Sequence, residues 1–539
     1  MLNKKLRLGL LLGSLDVPWW TYDAIRRIAQ AEAGEIVLIV LTEAAETPQG
    51  AWRAALYPIF DRVDRKLFAR KPDPFAVKNL SELLAGAPIL KITPGETLDE
   101  SDLEIIRNSR LDILLKFGCE NLNLGDASLA RYGAWFYRHG DERAERKGPP
   151  GFWEAAEYWP ETTSAVVAAG GIFPRPRVLF RSHFVTYPLS PARHRSYYFW
   201  ALTPFLARQI DLLHRIGEEE FLKKTEHYNV PPARVGKYET PSNLQTLAAV
   251  FKLTLRLIRE TARRVLYPDR WFLLFSLENE TPPNFNKFVK LIPPKGKFWA
   301  DPHAVRVNGN YYIFIEEFAH ARRKGHISVI EMDGQGNYKP PVKILEKDYH
   351  LSYPFVFEQD GKFYMVPESG ANRTIDLYEC AEFPRRWVFK RRLMENVSAA
   401  DATLLRHDGK WWMFAALAEN EAAVPNFELF LFYTDDLLAG KWTPHPRNPV
   451  VSDVKRARPA GSFFSRDGKL FRPSQDCSRG YGYGFDLNEI EVLSETEYRE
   501  KRTTSVRPDW DKRLAGTHTF ASCGDLTVID ALQRAPIIG

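Results

Sequence analysis

The chain has 539 residues, 45% of them hydrophobic and 26% charged, with a formal net charge of +6. That length exceeds what one core can organise and predicts two or three domains. The Lys and Arg residues are interspersed with acids and form no long like-charge run, which argues against a nucleic-acid partner.

Lys4, Lys5 and Arg7 precede the apolar run Leu8-Gly9-Leu10-Leu11-Leu12, as in a signal peptide. The run is short, soon meets Asp16, Pro18 and Trp19-Trp20, and has no small-residue cleavage site, so residues 6–13 are predicted to be a buried first strand. A helix over roughly 19–32 and a second buried strand over 35–41 complete a βαβ unit, the signature of a parallel sheet. Residues 111–118 and 132–137 read as further strands. The first domain is thus an α/β domain over residues 1–190. Residues 191–270, rich in Arg and Leu, are predicted to form a helical connector. No segment is long and apolar enough to span a bilayer, so no integral membrane segment is expected.

A loop with Pro282-Pro283 and Pro293-Pro294 leads into an all-β region over 271–539. Here one phrase recurs: Asn308-Gly309, Asp360-Gly361, Asp408-Gly409, Asp467-Gly468 and, more weakly, Cys523-Gly524, each before an alternating strand. Asn-Gly or Asp-Gly before such a strand is a strong hairpin signal. Its recurrence at intervals of roughly 50 residues predicts a five-bladed β-propeller. Aromatic content of 13% suits both blade cores and sugar-stacking surfaces. Cys119, Cys380, Cys477 and Cys523 are isolated and lack CxxC spacing, as expected of thiols in a reducing, cytoplasmic compartment.

Two regions carry candidate chemistry. In the first domain, His139 ends a buried strand before a Gly/Pro loop, where open α/β sheets bind ligands and where a His can serve as general acid or base. In the propeller, Asp301 (Trp299-Ala300-Asp301-Pro302-His303) and Asp401 (Ala399-Ala400-Asp401-Ala402-Thr403) hold comparable places before the first and third hairpins. Two such carboxylates across one channel can split their pKa values and share acid–base work.

Around His139 the chain resembles the formyltransferases that use 10-formyltetrahydrofolate, over roughly residues 5–215. The resemblance implies a Rossmann-type sheet, His139 as catalytic residue and that folate as cofactor. It also puts Tyr137 and Pro174 where the family has Asn and Asp, which implies a degenerate site without ordinary formyl transfer. Over roughly residues 290–535 the chain resembles the propellers of glycoside hydrolase family 43. That implies Asp301 as base and Asp401 as a pKa-tuning residue; the family's acidic Glu is missing from the fourth blade, leaving Glu368, Glu316 or Glu317 as replacements. Phe471-Arg472-Pro473-Ser474-Gln475-Asp476, Tyr481-Gly482 and Gly516-Thr517-His518-Thr519 resemble the propeller domain of glucosamine inositolphosphorylceramide transferase and of bacterial proteins like it.

The combined expectation is a carbohydrate-active protein of bacterial glycan or glycoconjugate metabolism, a transferase or glycoside hydrolase-like enzyme. Its catalytic set is Asp301, Asp401, Glu368 and His139. Its binding set is Glu317, Arg458, Arg472, Gln475, Asp476 and His518, suited to an acidic or phosphorylated glycan. The partner is a sugar, sugar nucleotide or glycoconjugate, and no metal is called for. The alternatives are a formyl- or acyltransferase acting on an amino sugar, with the propeller presenting the acceptor, and a non-catalytic glycan-binding protein.

Overall fold

The computed structural model describes residues 4–42, 54–92, 100–118, 129–140, 144–146, 148–225, 234–278 and 284–534. Two compact units divide the chain, Met1–Leu257 and Ile258–Gly539.

The first unit is built on a seven-stranded sheet. Five parallel strands lie side by side in the order Ile89–Ile92, Gly34–Thr42, Leu6–Leu12, Ile113–Phe117 and Ala134–His139. An antiparallel pair, Glu161–Gly170 and Phe173–Val185, extends the sheet beyond the last of them. The first strand is a parallel strand buried on both faces: Leu8, Leu10, Leu11 and Leu12 are all 0% exposed. The helices Pro191–Leu202 and Phe205–Thr225 belong to this unit. Tyr137 on the strand Ala134–His139 donates its hydroxyl to Leu202 O at 2.7 Å.

The second unit is a five-bladed propeller. Four blades are consecutive along the chain, spanning Lys297–Leu345, Ser352–Glu395, Ser398–Pro444 and Phe464–Val506. The fifth closes the ring: Asp269–Ser276, from the start of the unit, pairs antiparallel with Leu526–Arg534 from its end. The recurring Gly turns join the first and second strands of each blade. In the first four, Asn308, Asp360, Asp408 and Asp467 share the left-handed region with the glycine that follows, as a type I′ hairpin requires. The fifth hairpin closes between Cys523 and Leu526, with Gly524 in the first turn position at φ 60°, so its phrase is displaced by one residue.

Hydrophobic clusters fill the spaces between consecutive blades. One joins Tyr353, Val366 and Leu377 of the second blade to Trp411, Met413 and Phe430 of the third. The described cysteines Cys380, Cys477 and Cys523 are unpaired; Cys119 lies outside the described residues.

Candidate functional site

A repeated irregularity organises the centre of the propeller. The ladder between first and second strands shifts register at Ala300/His303, at Ser352/Phe355 and at Ala400/Thr403. At each shift one residue takes a positive φ: Asp301 at 52°, Tyr353 at 42° and Asp401 at 53°. A bulge of this kind re-aims a side chain, and left-handed non-glycine residues persist only where their surroundings impose them. The sequence shows the equivalence of Asp301-Pro302 and Asp401-Ala402, and the structure adds Tyr353-Pro354 as the matching position in the second blade.

Asp301 sits in a buried cage. His518 Nε2 lies 2.9 Å from its Oδ1, Thr519 Oγ1 donates to the same oxygen at 3.1 Å, and Tyr353 N donates to Oδ2 at 3.2 Å. Asp530 underpins the cage. It accepts from the backbone N–H groups of His518 (2.8 Å), Thr519 (3.0 Å) and Asp301 (3.2 Å). His518 Nδ1 also approaches Asp530 Oδ2 at 2.9 Å, as an ion-pair contact off the N–H axis. Burial alone would push His518 down. The carboxylates of Asp530 and Asp301 outweigh it and push the imidazole up to about 10. Burial would likewise raise Asp301, but His518 outweighs it and holds the carboxyl at about 2. Asp530 closes this arrangement from the last strand, yet nothing in Val528-Ile529-Asp530 distinguishes it from an ordinary blade residue in the sequence.

The second cluster forms around Arg458. Its Nε donates to Asp401 Oδ2 at 2.5 Å, its Nη2 to Asp401 Oδ1 and to Glu368 Oε2 at 3.2 Å each, and its Nη1 to Asn426 at 2.8 Å. Gln475 Nε2 donates to Asp401 Oδ2 at 2.7 Å, and Asp401 N to Glu368 Oε2 at 3.2 Å. Burial pushes the Asp401 carboxyl well above the usual range; Arg458 opposes this and the charge of Glu368 reinforces it.

Tyr481 joins the two clusters. Its hydroxyl is 3.1 Å from His518 Nε2, and the Arg458 guanidinium lies 4.9 Å from its ring centre. The ring is 50% exposed while both neighbours are largely buried, so it forms an open wall beside charged side chains. The glycines of two motifs make this possible. Thr517 N donates to Gly482 O at 2.9 Å, and a Cβ on Gly516 would stand 2.3 Å from that same oxygen.

The two neighbouring acids Glu316 and Glu317 point to opposite faces of their strand. Glu317 is tied by Lys297 Nζ at 2.7 Å, His326 Nε2 at 3.2 Å and Trp299 Nε1 at 2.9 Å. Burial would raise it, but these donors hold it at about 2. Among the described residues Glu316 has no such Lys or Arg: burial pushes its carboxyl well above the ordinary range and the Asp301 charge adds to the push. His350 Nε2 lies 3.4 Å from its Oε1. His350 Nδ1 accepts from Gly325 N at 2.9 Å, which leaves the ring proton on the Nε2 that faces Glu316. A Cβ on Gly325 would stand 2.7 Å from the backbone Leu351 O as well as from Glu316 Oε1, so glycine is required there.

Two other residues of the expected binding set lie elsewhere. Arg472 is 1% exposed inside the fourth blade, where Nε and Nη2 grip Glu500 at 2.8 Å each. Asp476 is engaged by Arg507 at 2.6 Å and by Ser478 N at 2.9 Å. Arg472→Met is therefore expected to cost roughly 3–5 kcal/mol, because it strands a buried Glu500, while the folded protein keeps its ligand affinity. Urea unfolding reads the loss, and Arg472→Met/Glu500→Leu should restore most of it. A stable Arg472→Met protein that has lost affinity would contradict this placement.

In the first unit, His139 Nδ1 is 3.1 Å from Ser164 Oγ, and its ring stacks on Tyr137 at 6.1 Å and 8°. Tyr137 is buried, with its hydroxyl bonded to Leu202 O. Phe173 pairs with Gly170, and Ala134 with Ala169, whereas His139 pairs with Ser164. Pro174 thus lies two strands over from His139 and near the opposite end of the sheet, about 16 Å away along the strand direction alone at some 3.3 Å per residue. The structure does not bring His139 and Pro174 into one site.

Comparison with known proteins finds likenesses to part of the propeller. Residues 291–517 match the N-terminal family model of glucosamine inositolphosphorylceramide transferase 1. Proteins of that name from Arabidopsis thaliana and from Oryza sativa subsp. japonica are 34% identical over 206 residues, which is 38% of this chain. The chain spans about a quarter, 27%, of the length of these curated relatives. Among solved structures, the family 43 glycoside hydrolase BlXynB of Bacillus licheniformis is similar at 17% identity, covering 40% of this chain and 47% of its own, with a TM-score of 0.30. Zg3597, a family 117 glycoside hydrolase from Zobellia galactanivorans, is similar at 13% identity, over 44% of this chain and 85% of its own, with a TM-score of 0.31. At these values the structural likenesses carry no argument about chemistry.

Proposed function

We propose that the centre of the propeller is a carbohydrate site that performs acid–base chemistry at a glycosidic bond. The observation that carries this reading is the chain of contacts Asp301–His518–Tyr481–Arg458–Asp401, which links two left-handed bulges through one half-exposed aromatic ring. Sugars are held by an aromatic face for stacking and by charged hydrogen-bonding groups beside it. Asp301 is the carboxylate kept ionised, opposite the positive charge that develops at the anomeric carbon. Glu316 is the carboxyl kept protonated, and donates to the leaving oxygen. Glu368 is a poorer donor than sequence alone suggested, because Arg458 and the Asp401 N–H already occupy one of its oxygens. Asp401, Arg458 and Gln475 position that wall of the site.

The charge balance favours a neutral or amino sugar over an acidic one. With Glu316 neutral as the proton donor, the four carboxylates of Asp301, Glu368, Asp401 and Asp530 stand against two cations, Arg458 and His518. The relatives carry glucosamine in their name, and an amino sugar is the ligand class this acid-rich centre would take. Saturation-transfer NMR of the full chain with glucosamine, glucose and glucuronate tests the reading. The expected order is glucosamine first and glucuronate last, with all signals lost in Tyr481→Ala. Preferred binding of glucuronate, or binding indifferent to Tyr481, would refute it.

A further inference from the structure

The helix Asn243–Leu266 has two apolar faces. One is used: Thr246, Ala249 and Leu253 are buried, and Arg256 Nη1 donates to Ala155 O at 2.7 Å. The other is not. Leu244, Leu247, Phe251, Leu255, Ile258 and Val265 are 79, 55, 69, 44, 60 and 61% exposed. At 100° per residue these six fall within one stripe about 80° wide, opposite the buried face.

A helix within the first unit repeats the pattern. Leu56–Phe68 exposes Ile59, Val63 and Leu67 at 57, 52 and 66%, spaced four residues apart, with Arg62 and Lys66 exposed among them. The two helices meet at their N-terminal ends. Leu56 N donates to Asn243 Oδ1 at 2.9 Å, and Tyr57 and Phe60 pack in one cluster with Phe152 and Ala249.

The charge on these helices has one sign. Lys252, Arg256, Arg259, Arg263 and Arg264 oppose a single acid, Glu260, which is gripped by Arg263 and Arg264 at 2.8 Å each. In the shorter helix Asp61 pairs with Arg195, and Asp64 is buried against Ala192 N at 2.7 Å. Among the described residues, the outward faces therefore offer bulky aliphatic side chains and cations, with every acid of the two helices already engaged. No described helix is long and apolar enough to cross a membrane. An exposed apolar stripe flanked by Lys and Arg is instead the pattern of a helix that lies in the headgroup plane.

We propose that the helices Leu56–Phe68 and Asn243–Leu266 seat the protein on an anionic membrane surface. The stripes enter the acyl boundary while Arg62, Lys66, Lys252 and Arg259 meet acidic headgroups. Pairing of two copies through the longer helix is the competing use of the stripe. It would face five cations and one acid with the same set, so charge opposes it.

Flotation of the full chain with phosphatidylcholine vesicles, with and without about 30% phosphatidylserine, tests the proposal. Binding to the anionic vesicles is expected, at least tenfold weaker without phosphatidylserine, and falling as salt rises from about 50 to about 500 mM. Leu247→Glu/Phe251→Glu should lose tenfold or more of this binding with an unchanged melting temperature, since both positions are exposed. Failure of the wild type to float with anionic vesicles, or equal binding by the variant, overturns the proposal. A wild-type dimer in light scattering that Phe251→Glu converts to monomer also overturns it, and assigns the stripe to a second copy.

Discussion

Glu316→Gln is expected to lower turnover of a glycoside with a poor leaving group by roughly 10²–10⁴-fold, the usual worth of a positioned general acid. Burial and the Asp301 charge push its carboxyl well above the ordinary range, and an amide has no such acidic proton to give. The loss should depend on the leaving group. A nitrophenol departs as a stable anion and needs little protonation, so the variant should approach wild-type rates on aryl substrates. Asp301→Asn should lose a comparable factor on both substrate types, because its role is charge at the anomeric centre. Kinetics on paired alkyl and aryl glycosides separate the two roles. Equal losses for Glu316→Gln on both substrates would remove it as the acid, and an active Asp301→Asn would remove the reading entirely.

His518→Gln should destabilise the protein by roughly 3–5 kcal/mol, since it removes what is, among the described residues, the only cation in direct contact with the buried Asp301 and Asp530 carboxylates. The effect has a defined pH signature. His518 is raised from 6.5 to about 10 on folding, so its contribution is complete below pH 6.5 and is lost as pH rises through 10. Asp301 is lowered from 3.8 to about 2, so its contribution is present above pH 3.8 and is lost as pH falls through 2. The pair therefore stabilises most between about pH 4 and 6.5. Urea unfolding of the wild type should show stability declining from pH 6.5 towards 10, and His518→Gln should flatten that decline. An unchanged slope in the variant would mean that His518 is neutral in the folded protein.

The propeller was legible because its turns are a local matter. An Asn-Gly or Asp-Gly pair adopts two consecutive positive φ angles at low cost, so four of the five hairpins announce themselves, and only Gly524 required the structure to show its shift by one position. The first unit's strands were legible for the same reason, as short apolar runs. The site was legible only in part. Asp301 and Asp401 share a sequence context, but Tyr353 carries the same bulge with a different side chain, and Asp530 enters from a strand more than 200 residues away. Pairing decides the remainder: the Arg-Pro-Ser-Gln-Asp string sends Gln475 to Asp401 and Arg472 to Glu500, and no local signal separates those destinations. Glu316 and Glu317 differ only in which face of one strand they occupy, and the strand's phase is set by its neighbours. The His139 region illustrates the opposite limit, since matching positions by motif placed Pro174 beside a histidine that the sheet puts two strands over and about five residues away along the strand direction.

The propeller's centre is proposed to hold a sugar. A crystal structure of the full chain soaked with glucosamine tests it most directly. A pyranose ring is expected against Tyr481, with its polar atoms within hydrogen-bonding distance of Glu316 and Glu368. Glucosamine bound elsewhere on the chain, with the space beside Tyr481 and Arg458 holding only water, would contradict it.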